Sequence, residues 1–225
     1  MAWCDRGVQT LLAVVGAFAA FSLMTIAIGT DYWLYSRAYI CNATNVTADE
    51  TQMQSKKVKG DLTHSGLWRI CCIEDENCTY FGHFTPGQDT EIFEYKTQKE
   101  YNISAAAISI FSLAFMILGS LCLMGSCTGG GAGRDYLLKP AGMFFAFAGL
   151  CAFISLEVMR QSVKRMIESE DTIWIEYYYA WSFACACTGF VLLFLTGIAL
   201  LVLSMPQMPR NPWETCMDAE PDQVE

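Results

Sequence analysis

VQTLLAVVGAFAAFSLMTIAIG, which is residues Val8–Gly29, carries no charged side chain and is almost entirely apolar. Its length is close to the about 20 residues that an α-helix needs to cross the hydrocarbon core of a bilayer. A cleaved signal peptide is the alternative, because Arg6 precedes the stretch and Ala27 and Gly29 have the small-x-small spacing of a cleavage site. The stretch is longer than the apolar core of a signal peptide, which is usually about 7–15 residues. We therefore predict a retained transmembrane helix.

Three further stretches lack charged residues, namely Tyr101–Gly133, Pro140–Leu156 and Tyr177–Pro209. Because lipid offers no partners to backbone polar groups, spans this continuous are expected to be helices. The prediction is a single integral membrane domain over 1–225. Its order is span one at 8–29, an extracellular loop at 31–101, span two at 103–126, a cytosolic loop at 127–135, span three at 136–159, an extracellular segment at 160–176, span four at 177–204 and a cytosolic tail at 205–225.

The composition supports a membrane protein and excludes two other classes. Of the 225 residues, 53% are hydrophobic and only 16% are charged, well below the roughly 25% of soluble domains. A chain this apolar is not expected to be disordered. The 14 Lys and Arg against 23 Asp and Glu give a net charge of −9, which would repel nucleic acid rather than attract it. Membrane lipids are therefore expected partners, and nucleic acid is not.

The sidedness of the chain is predicted from glycosylation signals, because the Lys and Arg residues of the short loops give no clear bias. Asn42, Asn45 and Asn77 each begin an N-x-T triplet, and all three lie in the first loop beside a cluster of cysteines. We expect this loop to be extracellular, both termini to be cytosolic and the chain to be a multi-pass protein of the cell membrane. A fourth signal begins at Asn102, where the chain enters the membrane, and is expected to remain unused.

Four of the eleven cysteines fall in the first loop, where an oxidising environment allows disulfides. They are Cys41, Cys71, Cys72 and Cys78. Four cysteines allow three pairings. We favour Cys71–Cys78, since a short loop between them suits a turn between two strands, with Cys41–Cys72 as the complement.

The first loop also has the composition of a small sheet. Aromatic and β-branched residues, which are typical of strands, are frequent in Asp31–Ser36, Gly66–Cys72, Thr79–Phe84 and Ile92–Tyr95. The polar insert Asn42–Leu62 is interpreted as a mobile excursion between the first two strands. The predicted fold class is thus an all-α transmembrane four-helix bundle with a small extracellular antiparallel β-sheet.

Residue patterns for catalysis or metal binding are nearly absent. The chain has only two histidines, His64 and His83, and no Cys/His spacing typical of zinc sites. The glycines of Gly129–Gly133 lack the GK[ST] ending of a phosphate-binding loop. We predict a protein that is not an enzyme and that has no catalytic residues, no cofactor and no metal.

Arg160 is the candidate for a partner contact, because a permanent cation near the end of span three is costly unless it is paired. Two alternatives are an internal pair with Glu157 and a side chain that simply reaches the membrane interface. In the functional interpretation, Arg160 meets an acidic or carbonyl group of a partner protein.

Trp33, Gly66-Leu67-Trp68, Cys71 and Cys78 together resemble the W, GLW, C, C signature of the claudin superfamily. The resemblance implies a left-handed four-helix bundle with an extracellular antiparallel sheet of four or five strands, held by a disulfide that matches Cys71–Cys78. Residues 1–74 are similar to the transmembrane AMPA-receptor regulatory proteins. From about residue 77 onward the chain is similar to the gamma subunits of skeletal-muscle voltage-gated calcium channels, so a natural relative and an engineered hybrid are both open.

The gamma-subunit resemblance implies a non-conducting auxiliary subunit that binds the pore-forming subunit of a voltage-gated calcium channel through spans two and three. It further implies a reduced calcium current, a more negative range of inactivation and a place in the skeletal-muscle sarcolemma or T-tubule. The alternative is an auxiliary subunit of AMPA-type glutamate receptors, although the short acidic tail ending in Asp222–Glu225 does not resemble that branch. A claudin-like adhesion protein is a third, less favoured alternative.

Overall fold

Four helices and one sheet make up the fold in a computed structural model that describes residues 2–38, 61–73, 78–81, 93–128, 134–168 and 177–205. The helices are α1 (Ala2–Gly29), α2 (Phe93–Thr128), α3 (Arg134–Glu168) and α4 (Trp181–Ser204). The strands are β1 (Leu34–Ala38), β2 (Asp61–Ser65), β3 (Arg69–Cys72), β4 (Cys78–Tyr80) and β5 (Tyr177–Tyr179). All four helices contain a part that is long and apolar enough to span a membrane. The predicted fold class is confirmed.

The sheet is antiparallel throughout and has the order β4-β3-β2-β1-β5. Its first four strands come from the first loop, but the edge strand β5 comes from the segment between α3 and α4. Tyr35 of β1 lies opposite His64 on one side and Tyr178 on the other. The sheet therefore joins the two segments that lie at the same end of the bundle.

Three expectations about local structure were wrong. Ile92–Tyr95 was expected to be a strand, but helix α2 already begins at Phe93, where the Glu, Lys and Gln residues that follow are good helix formers. Span four was expected from Tyr177, but three tyrosines with strong β-propensity form β5 first and the helix begins at Trp181. The insert was expected to run to Leu62, but β2 begins at Asp61.

Small residues let the helices approach closely. Helix α3 packs on both α2 and α4, and α1 packs chiefly on α4. A Cβ atom at Gly142 would lie 3.0 Å from the backbone nitrogen of Leu201 in α4. Gly197 faces the backbone of Ala146 at the same distance.

Buried serines join α2 to α3 inside the bundle. The Ser109 and Ser155 hydroxyls are 2.8 Å apart, and Ser155 also donates to the Ala105 carbonyl over 3.0 Å. Further along, Ser112 donates to the Ala148 carbonyl over 2.8 Å. Between membrane helices, such hydrogen bonds supply attraction that apolar contacts alone cannot, because lipid tails are equally apolar.

Candidate partner-binding surface

Two tryptophans of the predicted signature close the end of α1. The last carbonyl groups of a helix have no partner within it. The Trp33 indole donates from Nε1 to the Ala27 carbonyl over 2.6 Å, and that of Trp68 donates to the Ile28 carbonyl over 2.8 Å. Trp33 is buried, whereas Trp68 is 37% exposed. The sheet is thus attached to the bundle by two side chains that satisfy the backbone of α1.

Gly66 stands where no side chain would fit. A Cβ atom there would lie 2.6 Å from the Cα atom of Asp31, which is far inside contact distance. The neighbouring Leu67 is fully buried, and the Gly66 carbonyl accepts a hydrogen bond of 2.9 Å from Nδ2 of Asn102. Asn102 is itself fully buried. Its amide nitrogen, which a glycan would occupy, is therefore engaged inside the protein.

An ion pair holds β3 to the end of α1. The Arg69 guanidinium pairs with the largely buried carboxylate of Asp31 and lies over the ring of Tyr80, with 5.4 Å between Cζ and the ring centroid. The hydrogen bond that Arg69 donates to the Asp31 carboxylate raises the pKa of Arg69. This pair and the Trp68 hydrogen bond together fix the sheet against the bundle at a partly exposed edge.

Cys71 and Cys78 form a disulfide between β3 and β4, which is the pairing the sequence favoured. Their Cα atoms are directly opposite each other in the strand register. Cys72 is disulfide-bonded as well. Its pairing with Cys41 stays a prediction, since Cys41 lies outside the described residues.

A stack of aromatic rings on the outer face was not anticipated from the sequence. The ring of Tyr32 lies parallel to that of His64, with centroids 4.6 Å apart, and 5.7 Å from the ring of Trp181. Burial lowers the pKa of His64, and the Arg69 charge acts in the same direction while the Asp31 charge opposes it. The three residues belong to distant parts of the chain, so only the pairing of β1 with β2 and the start of α4 bring them together.

Arg160 lies on the surface of α3 and is paired with Glu157. Its Nε and Nη2 atoms each donate to one oxygen of the Glu157 carboxylate over 2.8 Å. Gln161 donates from Nε2 to the same carboxylate over 2.7 Å. The side chains of Arg160 and Glu157 are 60% and 37% exposed, so the pair faces outward. The internal pair suggested by the sequence is present, and a partner contact for Arg160 stays a prediction.

The end of α3 near Arg160 is held firmly against the sheet. Val163 and Met166 of α3 are buried against Leu34 of β1, with Tyr177 of β5 beside them. Burial raises the pKa of the neighbouring Tyr179, while the Arg160 charge opposes that change. Arg160 is thus presented on a helix whose orientation the sheet fixes.

Other predicted site residues lie outside the described part of the chain. They are Asn42, Asn45 and Asn77 of the glycosylation signals. Their roles stay predictions. Within the described ranges, no group of three or more His, Cys, Asp or Glu residues could hold a metal ion.

Comparison with known proteins finds one matching family and several relatives with the same kind of name. Residues 18–202 match the PMP-22/EMP/MP20/Claudin tight junction family. The voltage-dependent calcium channel gamma-1 subunit of Homo sapiens is 54% identical over 91% of this chain and 92% of its own length. That of Oryctolagus cuniculus is 58% identical over 76% of this chain and 82% of its own length. The human voltage-dependent calcium channel gamma-4 subunit is 40% identical over 88% of this chain and 61% of its own length.

Proposed function

This chain belongs to the PMP-22/EMP/MP20/Claudin family, and we propose that it is a non-conducting auxiliary gamma subunit of a voltage-gated calcium channel. One observation carries the proposal: the human gamma-1 subunit aligns with 91% of the chain at 54% identity. That alignment is long enough to include most of residues 1–74, which resemble the AMPA-receptor branch, and most of the residues from about 77 onward, which resemble the gamma subunits. The relatives' name supports membership of a voltage-dependent calcium channel, and binding to the pore-forming subunit with modulation of its gating is the finer part of our proposal.

The mechanism would be preferential binding to one gating state. An auxiliary subunit shifts a channel's equilibrium only if it binds two states with different free energies. A difference of about 1–3 kcal/mol shifts the equilibrium roughly 5- to 150-fold, which is enough to move the voltage range of inactivation. No ion pathway within the subunit is needed for this effect.

Arg160 is the residue we assign to the contact. Its pair with Glu157 uses Nε and Nη2, while Nη1 makes no hydrogen bond to the described part of the chain. A guanidinium has five N–H donors, so it can keep an internal carboxylate and still donate to a partner. An acidic or carbonyl group on the pore-forming subunit would suit the remaining donors.

The membrane orientation belongs to the same proposal. We place the sheet outside the cell and both termini in the cytosol. Glycosidase treatment of the expressed protein should increase its gel mobility, and the increase should disappear when Asn42, Asn45 and Asn77 are all replaced by Gln. The absence of any mobility shift would contradict this orientation, whereas a shift that is lost only in Asn102→Gln would contradict the buried position of Asn102 against Gly66.

Paired co-purification from mild detergent tests the choice of partner. The chain is expressed once with the pore-forming subunit of the skeletal-muscle calcium channel and once with an AMPA-receptor subunit. We expect retention by the calcium channel. Retention by the receptor alone would overturn the proposal and transfer the function to α1 and the sheet, which include the residues that resemble the AMPA-receptor branch.

A matched pair of variants tests the assigned contact. Arg160→Ala should weaken association with the pore-forming subunit, or it should shift the voltage range of inactivation towards the range that the channel shows without this subunit. Lys164→Ala is the control, because Lys164 is also 60% exposed but pairs with Glu168 over 3.6 Å. If Arg160→Ala leaves both association and gating unchanged, Arg160 is not part of the contact.

A further inference from the structure

A groove between α2 and α3 opens at the end of the bundle that carries the sheet. It is a half-open depression of about 360 Å³, a volume at the lower end of the about 300–1,000 Å³ typical of small-molecule sites. Tyr101 of α2 lines one wall, and Phe153, Ile154 and Val158 of α3 line the other. Glu157, Gln161 and Arg165 continue the α3 wall towards the sheet. The groove therefore has an apolar end and a polar end.

The polarity changes along a single face of α3. Ile154, Val158, Gln161 and Arg165 follow the three- and four-residue spacing of one helical face. At about 1.5 Å per residue, the face covers roughly 16 Å from Ile154 to Arg165. It runs from apolar side chains in the middle of the span to a cation at the sheet end, within the α3 part that is suited to span a membrane.

Arg165 is the cation of this α3 segment that has no ion pair among the described residues. Arg160 is paired with Glu157, and Lys164 is paired with Glu168. Arg165 lies instead at the polar end of the groove and is exposed. A guanidinium binds phosphate oxygens in a fork, with short and strong charge-assisted hydrogen bonds.

We propose that the groove binds one membrane phospholipid, with its phosphate at Arg165 and an acyl chain along Phe153 and Ile154. The occupant follows from charge and position. The free cation is complementary to a phosphate, the apolar wall is complementary to an acyl chain, and the groove faces the lipid of the sheet-side leaflet. Tyr101 lies on the opposite wall, as is usual for tyrosines at a membrane interface.

The groove does not include Arg160, although it shares Glu157 with the Arg160 pair. The two arginines are five positions apart, which places their side chains about 140° apart around the helix. Lipid binding at Arg165 therefore does not depend on the function proposed above, and either can fail without the other.

Photocrosslinking in nanodiscs tests the proposal on the full chain. The probe is phosphatidylcholine with a diazirine in one acyl chain, and labelled residues are located by mass spectrometry. We expect labelling to concentrate on Phe153, Ile154 and Tyr101 rather than on Phe18 of α1, which is 73% exposed to the same lipid. Arg165→Gln should lower labelling of the groove roughly two- to fivefold, whereas Arg165→Lys should retain most of it.

Two controls separate the phosphate contact from general effects. Lys164→Gln makes the same change of charge one residue away and should leave labelling of the groove unchanged. A diacylglycerol with the same diazirine lacks the phosphate and should label the groove no more than it labels Phe18.

Three results would overturn the proposal. The first is labelling spread evenly over lipid-facing residues, which indicates ordinary surrounding lipid. The second is equal enrichment with diacylglycerol. The third is Arg165→Gln reducing co-purification of the pore-forming subunit while leaving lipid labelling intact, which would assign the groove to a protein partner.

Discussion

Trp33 and Trp68 make the same kind of hydrogen bond in different surroundings, and this difference is testable. In Trp33→Phe, the buried Ala27 carbonyl loses its 2.6 Å hydrogen bond and keeps only the longer one of 3.4 Å from the Thr30 hydroxyl, so we expect a loss of about 1–3 kcal/mol in the free energy of unfolding. In Trp68→Phe, water can replace the indole because Trp68 is 37% exposed, and the loss should be smaller. Thermal midpoints in detergent measure both. Equal losses would contradict this account.

Gly66 is required by close approach of the backbone. Gly66→Ala would place a Cβ atom 2.6 Å from the Asp31 Cα atom, so the β2–β3 turn must shift, at a cost of about 1–3 kcal/mol. Gly29→Ala is the matched control, because a Cβ atom at Gly29 has no neighbour within 4 Å. The thermal midpoint should fall in the first variant and change little in the second. A similar fall in both would mean that crowding against Asp31 does not set the cost.

His64 should make the sheet sensitive to acid. Its pKa is lowered in the folded protein, mainly by burial, while the unfolded chain keeps the ordinary value of 6.5. Between these two pKa values the unfolded state binds more protons, so stability is complete above about pH 6.5 and decreases as the pH falls through the folded pKa. The thermal midpoint of His64→Gln should vary less between about pH 7.5 and 5. Identical profiles for variant and parent would exclude His64 as the cause.

The contact between α2 and α3 is the one in which hydrogen bonds contribute most clearly to helix packing. Ser155→Ala removes the hydrogen bonds to Ser109 and to the Ala105 carbonyl, and we expect a loss of about 0.6–1.7 kcal/mol. Ser22→Ala is the control, because Ser22 donates only to Phe18 of its own helix and faces outward. Ser155→Ala should begin to unfold at a lower SDS concentration than the parent protein, and Ser22→Ala at nearly the same concentration. No difference between the two variants would indicate that packing alone holds the helices.

Elements were predictable from sequence to different degrees. The membrane spans were predictable, because the length and the lack of charge of each apolar stretch identify it without reference to the rest of the chain. The start of α2 at Phe93 and the strand β5 were not, because aromatic residues such as Phe93 and Tyr177 suit both a strand and the end of a membrane helix. At those positions the neighbouring element decides: β1 provides the partner that makes Tyr177–Tyr179 a strand.

At the scale of the whole molecule, the disulfide should stabilise the sheet more than the bundle. Cys71 and Cys78 close a loop with a sequence separation of 7, for which loop entropy gives about 2–3 kcal/mol. Replacing both by Ala should make the sheet sensitive to protease while helix content by circular dichroism stays the same. Cys185→Ala, at a free cysteine within α4, is the control. Equal protease resistance in all three proteins would show that the sheet is held by its other contacts.

The candidate site shows which properties sequence can supply. The Trp33 and Gly66-Leu67-Trp68 signature identified the residues of the junction, yet their hydrogen bonds to α1 depend on how the chain folds back. The Arg160 pair with Glu157 was predictable because both lie on adjacent turns of one helix. The aromatic stack and the groove were not predictable. The stack combines Tyr32, His64 and Trp181, and the groove combines Tyr101 with α3, which are distant in the chain.

The position of β5 at the edge of the sheet has a consequence for biosynthesis. Strands β1 to β4 are made early, but their neighbour β5 follows α3 and emerges on the order of ten seconds later at ~5–20 residues per second. During this interval one side of β1 has no partner strand, and an open edge can pair with other chains. The nascent protein therefore carries an edge that is open to non-native pairing until its last transmembrane segment is being synthesised.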